Sequence, residues 1–151
     1  MRAAEISLTG LDVEWRRLEV ITENLANVNT TRVGQGGPYR AQHLVSGPRA
    51  GFDAHLHHAP GAAADATGTD PSRLDGVMVY GIEADDAPPR MVHEPANPDA
   101  NAQGYVAYPN IDHAEQMTLM VKTTRAYEAN IVAMNAAHQM YAKALELGRR
   151  S

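Results

Sequence analysis

Residues 111–147 read IDHAEQMTLMVKTTRAYEANIVAMNAAHQMYAKALEL, a run without Gly or Pro. Nothing in that backbone forces a break. Met117, Met120, Thr124, Tyr127, Ile131, Met134, His138, Tyr141 and Leu145 recur in alternating steps of three and four. That spacing is a narrow apolar seam along one face of an α-helix. At 1.5 Å rise per residue the helix is roughly 55 Å long, more than a compact domain of this size covers. Such a seam requires a partner along its length. Asp112 and Glu115 stand at capping-box spacing behind Pro109, and Gly148 is a natural stop. The predicted helix therefore starts at Asn110 or Asp112.

The other end of the chain repeats the alternation with Leu8, Leu11, Trp15, Leu18, Thr22 and Leu25, while Glu14, Arg16, Arg17, Glu19 and Glu23 take outward positions. This predicts a second helix from Ala3 or Ser7 to Asn27, with Gly10 tolerated at about 1 kcal/mol. The Asn and Thr side chains of residues 24–31 compete for nearby backbone groups and end it.

Between the helices the pattern changes. Gly34, Gly36, Gly37 and Pro38 mark a turn, and residues 39–45 read as a short extended piece. Residues 47–75 are rich in Ala, Gly, Asp, His and Pro, with only Phe52 and Leu56 as bulky apolar anchors, so a flexible loop is expected. Residues 76–82 alternate as a strand, Val77 and Val79 on one face, Met78 and Tyr80 on the other. Pro88 and Pro89 end it, residues 90–93 are its expected partner, and residues 105–108 form another extended stretch. The expected fold is mainly α with a small β lobe (α+β). An N-terminal helix (1–31) and a long C-terminal helix (110–151) form a coiled-coil-like layer, with a central β-hairpin lobe (32–109) between them.

Composition narrows the function. A net charge of −5 over 151 residues argues against a nucleic-acid surface, which needs clustered Lys and Arg. The absence of cysteine excludes disulfides, thiol nucleophiles and thiolate metal sites. Glu5, Thr9, Asp12 and Glu14 interrupt any apolar signal-peptide core, and no stretch has bilayer-spanning length.

Candidate chemistry is sparse. His55, His57 and His58 with Asp53 could ligate Zn or Ni, but their loop offers no rigid second shell. A solvated loop is the better reading. His113-Ala114-Glu115 matches H-x-E of zinc deaminases, yet the required downstream cysteines are missing. Adjacent Asp85 and Asp86 would point apart on a strand, wrong for a catalytic pair. No phosphate loop, nucleophile elbow or His-Glu-x-x-His occurs. No enzyme activity, cofactor or metal site is expected. On the seam, His138 and Thr124 read as polar register positions rather than a pH-sensitive joint, and the methionines as adaptable packing.

Five stretches carry a family resemblance. Asn24-Leu25-Ala26-Asn27-Val28-Asn29-Thr30 resembles the Asn-rich signature that ends the N-terminal helix of flagellar rod and hook axial proteins. Pro38-Tyr39-Arg40-Ala41 and Glu94-Pro95-Ala96-Asn97-Pro98, leading into Gly104-Tyr105-Val106, are similar to that family's proximal rod subunits. So is Tyr108-Pro109-Asn110-Ile111-Asp112 with Glu115 and Met117, and Arg125-Ala126-Tyr127-Glu128-Ala129-Asn130 completes the order. The chain departs from the family near residues 50–75. The resemblance implies a structural subunit of the basal-body rod in the periplasm, exported by the flagellar type III apparatus without signal cleavage. It implies helical assembly with its own copies and with FlgB, FlgF and FliE, to transmit torque and line the export channel. The expected assembly seam comprises Leu11, Trp15, Leu18, Leu25, Met117, Met120, Tyr127, Ile131, Met134, His138, Tyr141 and Leu145. The readings left beside it are a generic coiled-coil adaptor or secreted helical protein, and a metal-dependent enzyme using the His55–His58 loop.

Overall fold

The computed structural model describes residues 2–34, 36–50 and 74–149. In chain order the elements are α1 (Arg2–Ala26), β1 (Gln42–Ala50), β2 (Leu74–Ala84), β3 (Arg90–His93), β4 (Tyr105–Tyr108) and α2 (His113–Gly148). β1 pairs with β2 in one two-stranded sheet, and β3 pairs with β4 in another.

Both helices end where their side chains dictate. Glu5 in the first turn of α1 complements the helix dipole. At the other end the Asn27 side-chain amide donates to the Glu23 carbonyl at 2.9 Å, and the Thr30 hydroxyl donates to Asn27 Oδ1 at 3.1 Å. With the Thr30 N–H donating to the Asn27 carbonyl at 3.0 Å, these bonds compete with helix continuation and turn the chain out of it. Asp112 caps α2, its Oδ1 accepting the backbone N–H groups of Ala114 at 2.8 Å and Glu115 at 3.3 Å.

The strands depart from expectation in their pairing. β3 joins β4 antiparallel, with Arg90 opposite Tyr108 and His93 opposite Tyr105, instead of pairing with the strand at residues 76–82. The intervening residues fold as consecutive turns: Asn97 N–H donates to the Glu94 carbonyl, Ala100 N–H to Asn97 and Gly104 N–H to Asn101. Gly104 closes the hairpin at φ +78°, a conformation that favours glycine. β1 and β2 are also longer than expected. Their pairing draws residues 47–50 and 74–75 out of the anticipated loop, because Tyr80 lies across the bare backbone at Gly47 and donates its hydroxyl to the Pro48 carbonyl at 2.8 Å. Phe52, Asp53, Leu56 and the His55, His57 and His58 cluster lie outside the described residues.

The chain forms two compact units. One comprises the described residues of Met1–Glu14, Ser46–Tyr80 and Ala126–Ser151. In it α1 and α2 meet through Gly10, where a Cβ would sit 2.9 Å from the Asn130 amide nitrogen. That contact explains a glycine in mid-helix. Thr9 Oγ1 accepts the Val77 N–H at 3.1 Å and donates to the Ile6 carbonyl, and Gly76, at φ +108°, leaves room for it. Among the described residues of this unit, Leu11 and Val13 are the buried hydrophobic ones.

The other unit comprises Trp15–Val45 and Gly81–Arg125. Its buried residues include Val20, Ile21, Asn24, Val106, Pro109 and Thr123. A polar asparagine therefore shares a core with aliphatic side chains.

Candidate assembly surface

Asn24 is 2% exposed and uses its whole side chain. Its amide donates to the Gln42 carbonyl at 2.7 Å and to Gln116 Oε1 at 3.2 Å, while Oδ1 accepts the Gln42 N–H at 2.9 Å and the Tyr39 hydroxyl at 3.1 Å. One residue thus ties α1 to α2 and to the start of β1. Burying an amide is costly unless every bond is made, and here they are. Burial, and then the nearby Glu23 carboxylate, raise the Tyr39 phenol above its ordinary pKa.

Glu94, Asn97 and Tyr108 build a second hydrogen-bonded group in the same unit. Glu94 Oε2 accepts both the Asn97 side-chain amide at 2.9 Å and the Tyr108 hydroxyl at 3.0 Å. The bond to Glu94, then burial, push the Tyr108 phenol upward. Asp99 accepts the Thr31 hydroxyl at 2.7 Å and lies 3.6 Å from Arg32. Tyr105 packs obliquely on His93 at 5.0 Å between ring centroids. Pro95, Pro98 and Asn110 are exposed.

Arg40 donates twice to the Asp85 carbonyl, at 3.1 and 2.9 Å, and pairs with the Asp86 carboxylate. Asp85 Oδ1 meanwhile accepts the Ala87 N–H at 2.9 Å. The two aspartates hold a strand end in place. A cleft of about 350 Å³ beside them is walled by Pro38, Tyr39, Pro88, Pro89, Pro109 and Asn110. Among the described residues no group of His, Asp or Glu is arranged to hold a metal ion.

The seam residues divide by burial. On α1, Leu11 is buried, Leu18 and Leu25 are half-buried, and Leu8 and Trp15 are more than half exposed. The residues that α1 buries most completely, Val13, Val20, Ile21 and Asn24, lie on a neighbouring stripe that seam spacing passes over. Their seven-residue recurrence, Val13 to Val20, was the available signal. On α2, Met120, Tyr127, Ile131 and Met134 are half-buried, whereas Met117, Thr124, His138, Tyr141 and Leu145 are exposed. Asn130 is half-buried against Gly10, and Glu115 and Arg125 face solvent.

Among the described residues, apolar surface is left open in each unit. In the Asn24 unit a groove of about 750 Å³ runs between the helices, lined by Trp15, Leu18, Thr22, Ala26, Met120 and Thr124, with Glu19 and Glu23 at its rim. In the Gly10 unit, Ala3 and Ala4 lie beside Ala137 and Tyr141 around about 270 Å³. Beyond that point Tyr141, Leu145 and Leu147 are 45%, 53% and 70% exposed. Leu145 and Tyr141 continue the face that carries Tyr127, Met134 and Ala137. Within each unit the two helices touch, at Gly10–Asn130 in one and at Asn24–Gln116 in the other, yet these apolar edges are not sealed.

Residues 102–147 match the family model described as the C-terminal region of flagellar basal body rod FlgEFG proteins, a span that takes in β4 and nearly all of α2. The chain is 39% identical over 150 residues to the flagellar basal-body rod protein FlgC of Bacillus subtilis (strain 168), covering 95% of each. It is 35% identical to FlgC of Borreliella burgdorferi, over 94% of this chain and 93% of that one. With FlgC of Escherichia coli O6:H1 it shares 36% identity, over 96% and 95%. No helix among the described residues is long and apolar enough to cross a membrane. Identity of 35–39% sustained over about 95% of the chain places it in the FlgC family of flagellar basal-body rod proteins.

Proposed function

We propose that the chain is a non-enzymatic structural subunit of the basal-body rod, assembling helically so that α1 and α2 form an inner layer around the export channel. Family membership supports the structural role. The observation that carries the assembly is the pair of open apolar surfaces, the groove beside Trp15 and the bare turns at Tyr141 and Leu145. Fully burying one Leu or Met contributes about 1.5–3 kcal/mol, so a few such positions on neighbouring copies hold a contact that ordering costs would otherwise oppose. A contact between unlike faces, repeated by a screw operation, grows as an open shaft instead of closing as a dimer. Such a shaft passes torque through its lateral contacts.

In this reading the helical ends and the central residues 32–109 act as separate layers, and the neighbours are further copies together with FlgB, FlgF and FliE. The setting is the periplasm, reached through the flagellar type III apparatus without a cleaved signal peptide.

The test is Tyr141→Asp/Leu145→Asp. Both positions are exposed, so the isolated chain should keep its fold, while a charged pair on a desolvated contact should stop rod assembly. Basal bodies purified from cells carrying only this variant should lack the chain. Recovery of complete rods, with normal swimming, would overturn the proposal.

A further inference from the structure

The Glu94 N–H donates to the Gly104 carbonyl at 2.9 Å, continuing the register that sets His93 opposite Tyr105. Antiparallel residues alternate between bonding across the pair and pointing away from it. Arg90 and Val92 therefore bond across to β4, while Met91 and His93 turn their N–H and C=O groups outward. On the other strands, side chains take up backbone groups of this kind. Asn24 holds both groups of Gln42 on β1, and Thr9 Oγ1 accepts the Val77 N–H on β2. On β4 the Asn101 N–H donates to the Tyr105 carbonyl at 2.8 Å and Asn101 Oδ1 accepts the Tyr105 N–H at 2.9 Å, which leaves Ala107 alone before Pro109. Met91 and His93 receive no such bond from a described residue, and both are exposed. An open edge of this sort is a template for another strand.

The residues around that edge name the strand that fits it. Pro89 and Pro95 bound it, and proline has no N–H to give a ladder. A second copy of β3 laid antiparallel must set outward residues against outward residues, which leaves three centred registers. Met91 against Met91 brings His93 against Pro89, and His93 against His93 brings Met91 against Pro95. Met91 against His93 avoids both prolines and makes all four edge bonds. That same register sets Arg90 against Glu94 of the second copy, once on each side of a central pair of Val92 residues. Arg90 lies over the Tyr108 ring at 5.6 Å and makes no ion pair with a described residue. Glu94 commits Oε2 to Asn97 and Tyr108, and its Oε1 accepts no bond from a described residue. The whole edge belongs to the Asn24 unit.

We infer that two copies of the chain join antiparallel through β3 into a four-stranded sheet, with Met91 opposite His93 and Arg90 opposite Glu94 of the second copy. Backbone bonds supply the contact and the ion pairs fix its direction, since a parallel strand in matching register would set Arg90 beside Arg90. A two-fold contact closes on itself, whereas a shaft grows through unlike faces. The pairing therefore belongs to copies outside the shaft and does not rest on the rod reading. It covers an edge that would otherwise accept strands of other proteins.

Sedimentation equilibrium of the purified chain tests this, and the wild type should show twice the monomer mass. Met91→Pro removes an outward donor and leaves the β3–β4 ladder its bonds, so it should raise the dimer dissociation constant by about tenfold. Arg90→Glu and Glu94→Arg should each raise it by about tenfold, because like charges then face one another on both sides. Mixed in equal amounts, these two chains should recover to within about twofold as heterodimers, since both ion pairs return. Recovery also shows that both variants folded. Should Glu94→Arg fail to fold, having lost its bonds to Asn97 and Tyr108, Met91→Pro and two cysteine variants decide. Because the chain has no cysteine, Val92→Cys should oxidise to a disulfide-linked dimer, its Cα facing its counterpart at about 4.5 Å. Ala107→Cys, three strand spacings or about 14 Å from its counterpart, should not. A monomeric wild-type chain would overturn the inference. So would a dimer indifferent to Met91→Pro, a mixture of folded charge variants no tighter than its parts, or equal cross-linking at residues 92 and 107.

Discussion

The two units hold the same pair of helices by opposite means. In one, Asn24 reaches Gln116 on α2 and both backbone groups of Gln42. In the other, Gly10 removes a side chain so that Asn130 can come close. The first contact is directional and saturated. The second is steric, and the face it belongs to runs on past Ala137 into bare Tyr141 and Leu145. A saturated polar anchor rigidifies its surroundings, and in its unit the open apolar surface is the groove beside Trp15, away from Asn24 itself. The steric contact has no such saturation, and the apolar face it belongs to continues directly into exposed Tyr141 and Leu145.

The largest effect should come from breaking the polar anchor. Asn24→Ala strips partners from the Gln42 N–H and carbonyl, the Tyr39 hydroxyl and Gln116 at once. An unsatisfied buried group costs about 1–3 kcal/mol, and with several affected the loss should reach about 3 kcal/mol. Urea unfolding of the isolated chain measures it. A loss below about 1 kcal/mol would mean that water replaces the amide, and the contrast between the units would fail.

Breaking the steric anchor should cost less. Gly10→Leu forces a branched side chain into the space of the Asn130 amide, at about 1–3 kcal/mol for overpacking. Gly10→Ala is the sharper probe, because alanine favours the helix by about 1 kcal/mol while its Cβ collides with Asn130. In the wild-type background the substitution should be neutral or destabilising. In the Asn130→Ala background it should stabilise by up to about 1 kcal/mol, a change of sign that a double-mutant cycle reads directly. The same sign in both backgrounds would refute the close-approach explanation.

This contrast bears on what the sequence could disclose. Both long helices, the cap at Asp112 and the exit at Asn27 follow from local chemistry: periodicity, absence of Pro, and side chains that bond the adjacent backbone. Which face turns inward does not. A three-four alternation through Leu8, Trp15 and Thr22 fits the pattern as well as one through Val13, Val20 and Asn24, and local rules carry no information about the second helix. Asn24 illustrates the difficulty, since an asparagine near a helix end reads as a terminator until its partners at residues 39, 42 and 116 are known. The β pairing was hidden for a related reason. Residues 90–93 could join any short strand, and only the turns from Glu94 to Gly104 direct them to β4. The seam was legible as a set of residues, and its division into inner packing and outer surface was not.

A smaller effect should follow at the start of α2. Asp112→Ala removes the acceptor for the Ala114 and Glu115 N–H groups, at about 1 kcal/mol. The loss should fall on the polar-anchored unit, four residues before Gln116. Hydrogen exchange should therefore quicken in the first turn of α2 and leave the amides near Asn130 unchanged. Equal quickening along the whole helix would mean that the two contacts act as one cooperative joint, removing the distinction.

The smallest effect depends on pH and touches the polar unit alone. Tyr39 and Tyr108 both bind their phenolic protons more tightly in the folded chain than at the ordinary value of 10.0. Their contribution is complete below that value and is lost as pH climbs from it through their raised folded values, because the unfolded chain sheds its protons first. Near pH 7 neither titration affects stability. As pH rises through about 10 and beyond, the urea midpoint should fall, and Tyr108→Phe should shrink that fall without abolishing it, since Tyr39 still titrates. Tyr39→Phe/Tyr108→Phe should flatten it further, at the cost of the hydroxyl bonds to Asn24 and Glu94 at every pH. An undiminished alkaline fall in the double variant would trace the loss to other groups and deny the phenols any part in the polar anchor.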